Sequence, residues 1–162
     1  MTVDLATEAD IPAIMALERS PGFDGFVGRW SAEEHAAEMA KPSSRYFLMR
    51  DAGQPVGFAM VQGLCDGHCK AHLRRIAVGT PGEGVGTRLM NAVLLWLYTE
   101  TDVNRVDLDV YVDNERAKRS YEKAGFQVEG RLRDFHRNDD GTYRDMWLMS
   151  ILRKDWALRH RL

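Results

Sequence analysis

The chain opens with an alternation, Thr2–Ala6, that suits a short edge strand, and then changes period. Thr7–Asp10 offers helix-capping side chains ahead of Ile11, Ile14, Met15 and Leu17, with Pro12 tolerated in a first turn. Ser31-Ala-Glu-Glu34 has the form of a capping box and predicts a helix through about Ala40. Between these helices, Ser20–Arg29 reads as a loop carrying Pro21, Gly22, Gly25 and Gly28. Tyr46–Arg50 and Val56–Leu64 read as strands joined by a hairpin turn at Asp51-Ala-Gly-Gln54. A third strand, His68–Val78, follows Asp66-Gly67 and runs into a turn rich in glycine, Gly79 to Gly86. Helical spacing resumes at Val85, Leu89, Val93 and Trp96, with Ala92 and Leu97 beside the stripe. Arg105–Val112 alternates, with Val106, Leu108, Val110 and Val112 on one face and Asp107, Asp109 and Tyr111 on the other. Asn114–Ala124 is a helix closed by Gly125, and Phe126–Arg137 and Thr142–Leu152 are strands around the Asp139-Asp140-Gly141 turn.

No repeat, low-complexity tract or linker interrupts this pattern, so 162 residues are expected to form one domain, residues 1–162. Hydrophobic residues make 44% and charged residues 28%, an ordinary globular balance. A net charge of −2 argues against a nucleic-acid footprint, and no apolar run reaches membrane-spanning length. The first ten residues have neither a basic n-region nor an apolar h-region. Two cysteines do not make a disulfide framework, and a reducing cytoplasm is the expected location.

Two stretches carry chemistry. The first is strand, glycine turn and helix: Leu73–Val78, then Gly82, Gly84 and Gly86, then the helix. Glycines let a backbone approach an anion closely, and a helix N-terminus adds partial positive charge. The spacing G-x-G-x-G is not the dinucleotide fingerprint G-x-G-x-x-G, and no Lys-Ser/Thr follows as a P-loop requires, so nicotinamide dinucleotide binding is not expected. A tight turn that merely needs positive φ is the plainer reading. The second stretch places Asn114, Ala117 and Tyr121 on one helix face. An amide, a small residue and a phenol on one stripe suit a ligand lying along the helix, the phenol being able to donate a proton. Taken alone, a helix cap and a half-buried core tyrosine with a wet hydroxyl explain them better.

In this order, with a strand between, the two stretches resemble the GNAT superfamily of N-acetyltransferases. Pro81-Gly-Glu-Gly84-Val-Gly86 matches the glycines of the family's Q/R-x-x-G-x-G/A motif. Val110, Asn114, Ala117, Tyr121, Lys123, Gly125, Phe126, Glu129 and Gly130 match a second motif common among bacterial members. The segment after it looks like the closing strands of ribosomal-protein and amino-acid N-acetyltransferases of that superfamily. The likeness runs from about Phe58 to Leu152, and the first forty-odd residues match in element order alone. Two departures stand out: Pro81 replaces the motif's Gln or Arg, and Leu73 occupies a position where several relatives carry an acidic base.

The resemblance implies an α/β fold with a central mixed, mostly antiparallel sheet, splayed at an acetyl-CoA site and flanked by helices. It implies that backbone groups of Ile76, Ala77 and Val78 pair with the pantetheine arm. Gly82 and the amides of Glu83, Gly84, Val85, Gly86 and Thr87 would hold the pyrophosphate, with the Thr87 hydroxyl and Arg88 as helpers. Asn114 and Ala117 would border the pantetheine, and Tyr121 would protonate the departing thiolate. Direct transfer to a primary amine, on a small molecule such as an amino acid or polyamine or on a protein N-terminus, then needs no covalent intermediate and no metal. The acidic residues Asp107, Asp109, Asp139, Asp140 and Asp145 fit a cationic acceptor loosely. Homodimers are common in similar folds, and no stretch here forces one.

An ammonium acceptor must lose a proton before attack. Asp109, Asp107, His72, Asp145 and His136 are the candidate bases, with Asp109 preferred; ordered water is the alternative. Missing a motif Gln/Arg and an obvious base, a catalytically silent acyl-CoA-binding sensor is the rival reading, and retention of Tyr121 argues against it. Phe23, Phe26 and Trp30, more aromatic surface than a solvated loop needs, either pack on the core or wall an acceptor pocket. Cys65-x-x-His68-Cys69-x-x-His72 superficially offers four zinc ligands, but its spacing is too compressed for paired knuckles, and side chains alternate along a strand.

Overall fold

The computed structural model describes residues 1–21, 28–64 and 66–161. Strands β1 (Thr2–Leu5), β2 (Arg45–Asp51), β3 (Gln54–Gln62), β4 (Lys70–Val78), β5 (Arg105–Tyr111), β6 (Gln127–Arg137) and β7 (Tyr143–Leu152) build the sheet. Helices α1 (Ile11–Glu18), α2 (Ala32–Met39), α3 (Val85–Glu100), α4 (Glu115–Ala124) and α5 (Arg153–His160) flank it. Among the described residues the sheet has seven strands in the order β1-β2-β3-β4-β5-β7-β6, with β4 and β5 parallel and the other pairs antiparallel. The expected mixed, mostly antiparallel α/β architecture is therefore present.

Apolar patterning explains which strands are central. In the middle of β2 and β3, Tyr46–Met49 and Gly57–Val61, every residue is buried, because α1 and α2 cover one face of the sheet and α3 the other. One core cluster holds Leu89, Val93 and Leu97 of α3 against Phe47, Val61, Leu108 and Ile151; a second holds Ile14 and Leu17 of α1 against Leu48, Phe58 and Met60. The β2–β3 turn has Ala52 at φ +46° and Gly53 at φ +82°, the paired left-handed conformation that matches strand twist in a tight hairpin. In β5, by contrast, Val106, Leu108 and Val110 are buried and the alternate residues are not. That leaves Asp107, Asp109 and Tyr111 facing the side on which the site forms.

The strand that organises the site is irregular. Along the β3–β4 ladder, Val61 pairs with Leu73 and Met60 with Arg75, so Arg74 is an extra residue, a β-bulge. The bulge reverses the facing of β4: Ala71 and Leu73 belong to the α3-side core, whereas Ala77 belongs to the α1-side core and Arg75 reaches Glu18 of α1. A bulge also bends its strand. On the other side, β4 pairs with β5 only at Lys70–Arg105, Ala71–Val106 and His72–Asp107, after which the two strands part. The sheet is thus forked from His72 onward.

Helix α5 has no counterpart in the sequence reading. Arg153–His160 lacks helical apolar spacing, has no side-chain N-cap and buries only Trp156, which packs against Tyr98 at 5.2 Å. Arg153 at its first turn donates to the carbonyls of Thr101, Val103 and Tyr98, satisfying acceptors that the end of α3 leaves open. Tertiary contacts, not local preference, make this helix.

Candidate active site

The fork between β4 and β5 opens into a cleft of about 730 Å³. Beyond His72, β4 has a ladder partner on the β3 side only, so Ile76, Ala77 and Val78 turn unpaired backbone groups toward the gap. These three residues line it. An exposed strand edge of this kind accepts an extended ligand that carries amides of its own.

One end of the cleft is formed by the turn into α3. Gly82 at φ +91° and Gly84 at φ +76° turn the chain into α3 through a conformation that side chains resist. Gly84 is the N-cap; no side chain caps the helix and no acidic residue stands in its first turn. The first-turn N–H groups therefore lack a side-chain acceptor and carry the positive end of the helix dipole. Gly86, already inside the helix, lines the cleft, and a Cβ there would meet only Val78 Cγ1 at 3.8 Å. Packing within the protein would accept a side chain at that position; the space its absence leaves belongs to the cleft. Thr87 also lines the cleft, whereas Val85 is buried in the core and Arg88 points to Met1 Sδ at 3.5 Å. Glu83 is an exposed turn residue outside the lining, so Glu83 and Val85 offer this end of the cleft backbone rather than side chain.

Helix α4 forms the facing wall. The Asn114 carboxamide oxygen caps it by accepting from Ala117 N–H at 3.3 Å, and Gly125 at φ +108° closes it. Asn114, Ala117 and Tyr121 line the cleft as one stripe. The Tyr121 ring packs against Phe126 with centroids 6.0 Å apart, and burial pushes its phenol up to about 12. At neutral pH this hydroxyl keeps its proton and can give it away.

At the crotch of the fork lies a set of titratable groups. His72 Nδ1 donates to Asp107 Oδ1 at 2.6 Å, and His72 Nε2 lies 3.9 Å from Asp109 Oδ2. Burial holds the Asp109 carboxyl above its ordinary value, with Asp107 adding to the rise and His72 and Arg74 opposing it. Burial would raise Asp107 too, but hydrogen bonds from His72 and from Arg105 Nε at 3.2 Å outweigh it and keep that carboxyl low. Arg105 in turn reaches across β7 to Glu129 Oε1 and Oε2 at 2.5 and 2.9 Å. Asp107 is thus anchored from behind while Asp109 and His72 face the cleft.

Several candidate residues lie elsewhere. Asp145 accepts from Arg131 Nε at 2.7 Å and from Asp134 N–H at 2.8 Å, and Asp140 accepts from Thr142; neither lines the cleft, nor does Asp139. The acidic lining expected for a cationic acceptor is therefore reduced to Asp109. His136 lines the outer end beside Tyr111, its ring 5.4 Å away. Trp30 lines the cleft, under the Arg75 guanidinium at 4.3 Å; Phe23 and Phe26 lie outside the described residues. The compressed Cys/His cluster separates: Cys69 donates to Asp102 at 3.4 Å, His72 turns to Asp107, and Cys65 lies outside the described residues. Among the described residues no group of three His, Cys, Asp or Glu side chains is placed to hold a metal.

Comparison with known proteins identifies this arrangement. The model of the acetyltransferase (GNAT) family matches residues 11–126. The chain belongs to the GNAT family. It is 27% identical to aminoglycoside N(6')-acetyltransferase type 1 of Klebsiella pneumoniae, over 80% of this chain and 75% of that protein. It is 30% identical to a putative ribosomal N-acetyltransferase of Bacillus subtilis, over 50% of this chain and 44% of the relative. Among solved structures, spermidine N-acetyltransferase of Vibrio cholerae in complex with CoA and spermine has a TM-score of 0.83 at 23% identity, covering 96% of each chain. The ribosomal-protein-S18-alanine N-acetyltransferase of Escherichia coli has a TM-score of 0.77 at 24% identity, covering 93% of this chain and 92% of that one. These structural likenesses establish the fold; the family match makes the chain an acyltransferase of the N-acetyltransferase kind.

Parts of the GNAT cleft escaped the sequence reading, Arg74 and the approach to α2 among them. Arg74 lines it because the bulge turns it outward, and nothing in Leu73-Arg-Arg-Ile76 distinguishes it from a surface residue on a regular strand. Gly28 and Arg29 line it as the chain approaches α2. A Cβ on Gly28 would stand 2.2 Å from Arg75 Nη2, so a side chain here would have to displace the guanidinium that Glu18 holds.

Proposed function

We propose that this GNAT protein transfers an acetyl group from acetyl-CoA directly to a primary amine of a small molecule or of a protein N-terminus. The observation that carries the reading is the forked sheet, whose unpaired β4 edge leads from His72 and Asp109 to the uncapped, glycine-entered start of α3. The pantetheine arm is assigned to the Ile76–Val78 edge and to the wall of Asn114 and Ala117. The pyrophosphate is assigned to Gly82 and to backbone N–H groups from Glu83 to Thr87, with the Thr87 hydroxyl beside them and Arg88 at their margin. The room at Gly86 fits a phosphate that must approach the helix closely.

Acetyl-CoA supplies the activated thioester. Asp109, seconded by His72, takes the ammonium proton of the acceptor; a carboxyl held above its ordinary value is the better proton acceptor for it. The freed nitrogen attacks the thioester carbonyl; as the C–S bond breaks, the sulfur receives the Tyr121 hydroxyl proton and the new amide nitrogen loses its remaining excess proton to solvent. As products leave, Tyr121 takes a fresh proton from solvent and Asp109 releases the one it accepted. Asp107 touches neither reactant and acts by holding His72. No covalent enzyme intermediate enters this scheme.

The reading takes the chain as one catalytic domain working in a reducing cytoplasm; no helix among the described residues is long and apolar enough to cross a membrane. Calorimetric titration with acetyl-CoA, followed by a thiol-release screen across amines, tests it. Binding with acceptor-dependent thiol release is the expected result. Binding without release from any amine or N-terminal peptide would overturn the catalytic reading in favour of a sensor, and absence of binding would overturn the cofactor assignment.

A further inference from the structure

The charge lining the acceptor end of the cleft runs opposite to that expected for a polyamine or aminoglycoside. Among the described residues Asp109 is the only carboxylate on the cleft wall, whereas Arg29 and Arg74 both line it. Arg75 lines it too, but is neutralised by Glu18 Oε1 at 2.6 Å. Arg74 is exposed on the bulge and makes no hydrogen bond or ion pair with any described residue. Its charge reaches the reaction site, since it opposes the rise of the Asp109 carboxyl.

A second ammonium on the acceptor would meet the Arg74 guanidinium, with no further carboxylate on the cleft wall among the described residues to receive it. A carboxylate on the acceptor would meet Arg74, whose planar fork of N–H donors matches carboxylate oxygens two at a time. With the amine at Asp109 and His72, the two charged ends of an amino acid find opposite charges on the two arms of the fork.

We infer that Arg74 selects acceptors in which the reacting amine is accompanied by a carboxylate on the same small molecule, so that the substrate class is free amino acids rather than polyamines. This rests on the acetyl-transfer reading and narrows it.

The test is a thiol-release assay with acetyl-CoA on matched pairs: the standard amino acids, β-alanine and 4-aminobutyrate, each against its amide, with spermidine and kanamycin as polycations. The expected result is a kcat/KM for the preferred acid at least about tenfold above its amide, the scale of one charge-assisted hydrogen-bonding pair. In Arg74→Gln that acid-to-amide ratio falls to about one, and Arg74→Lys recovers part of it. Taking a ratio within each variant removes any general effect of the substitution on folding or cofactor binding. Release that favours amides or polycations in the unaltered protein, or an acid-to-amide ratio that survives in Arg74→Gln, overturns this inference and leaves acetyl transfer standing. Release from no amine at all, with acetyl-CoA bound, overturns acetyl transfer and this inference with it.

Discussion

His72 Nδ1 lies 2.6 Å from Asp107 Oδ1 at the last hydrogen-bonded pair of β4 and β5, so the parting of the strands begins from a fixed imidazole. The ring is held on its Nδ1 side, which leaves Nε2 directed to Asp109 and the cleft. Asp107→Asn removes the charge that Arg105 and His72 share and the negative neighbour that raises the proton affinity of Asp109. We expect kcat to fall roughly tenfold to 10²-fold, the scale of lost orientation around a proton-transfer group. The acid limb of the kcat/KM profile should also move to lower pH, because Asp109 then ionises more readily. A profile that falls in height without moving would assign Asp107 a purely structural part.

Asp109 couples activity and stability with opposite signs. Its carboxyl is held above the ordinary 3.8 by burial, so the folded protein binds a proton more tightly than the unfolded chain. The group favours folding below pH 3.8, and that contribution is lost as pH rises through its folded value. At neutral pH the buried charge is therefore a burden. Asp109→Asn should lower kcat/KM by roughly 10²-fold or more and raise the urea midpoint at pH 7, the gain vanishing below pH 3.8 where both states are protonated. A lower midpoint at pH 7 would contradict this account.

Tyr121 separates a transferase from a binder. Its phenol, raised to about 12 by burial, stays protonated across the working range. Tyr121→Phe keeps the ring against Phe126 and removes only the proton. We expect kcat to drop roughly 10²-fold while the calorimetric affinity for acetyl-CoA holds. Unchanged turnover would take Tyr121 out of the acid role.

Most of this architecture was legible in the chain because its period is strongly marked. The β5 alternation told which face Asp107 and Asp109 share, and the run of glycines before Val85 marked the turn into α3. Asn114 and Gly125 bounded α4 from both ends. What could not be read depends on pairing between distant segments. The bulge at Arg74 exists only against Met60 and Val61, and it decides that Arg74 faces the cleft and Arg75 the core. The place of β7 between β5 and β6 is an order that no local pattern carries. Glu18, fully buried, reads in sequence as an ordinary solvated helix residue, because its partners Arg75 and His35 lie far along the chain.

Gly86 offers a test in which stability and ligand affinity diverge. A methyl group there meets only Val78 at 3.8 Å, and alanine is preferred over glycine in a helix by up to about 1 kcal/mol. Gly86→Ala should therefore keep or raise the urea midpoint. Under the proposed cofactor assignment the same methyl occupies the space through which a phosphate would reach the first-turn N–H groups, and we expect acetyl-CoA affinity to fall by about tenfold or more, roughly the loss of one charge-assisted hydrogen bond. Equal affinity in both proteins would remove the close-approach role assigned to this glycine.

Glu18 is the anchor of the wall that carries Trp30. Its carboxylate accepts from Arg75 Nη1 at 2.6 Å and from Trp30 N–H at 3.3 Å, and lies 3.1 Å from His35 Nε2. His35 Nδ1 is in turn hydrogen-bonded to Tyr46 at 2.9 Å, so one buried carboxylate ties α1, α2 and the approach to α2 onto β2 and β4. Glu18→Gln leaves the Arg75 guanidinium buried without its counter-charge, and removal of one partner from such a pair costs about 3–5 kcal/mol. The double variant Glu18→Gln, Arg75→Met removes the orphaned charge as well and should recover much of that loss, seen as a urea midpoint well above that of Glu18→Gln alone. A double variant no more stable than the single one would mean that the anchor works through Trp30 and His35 rather than through its charge on Arg75.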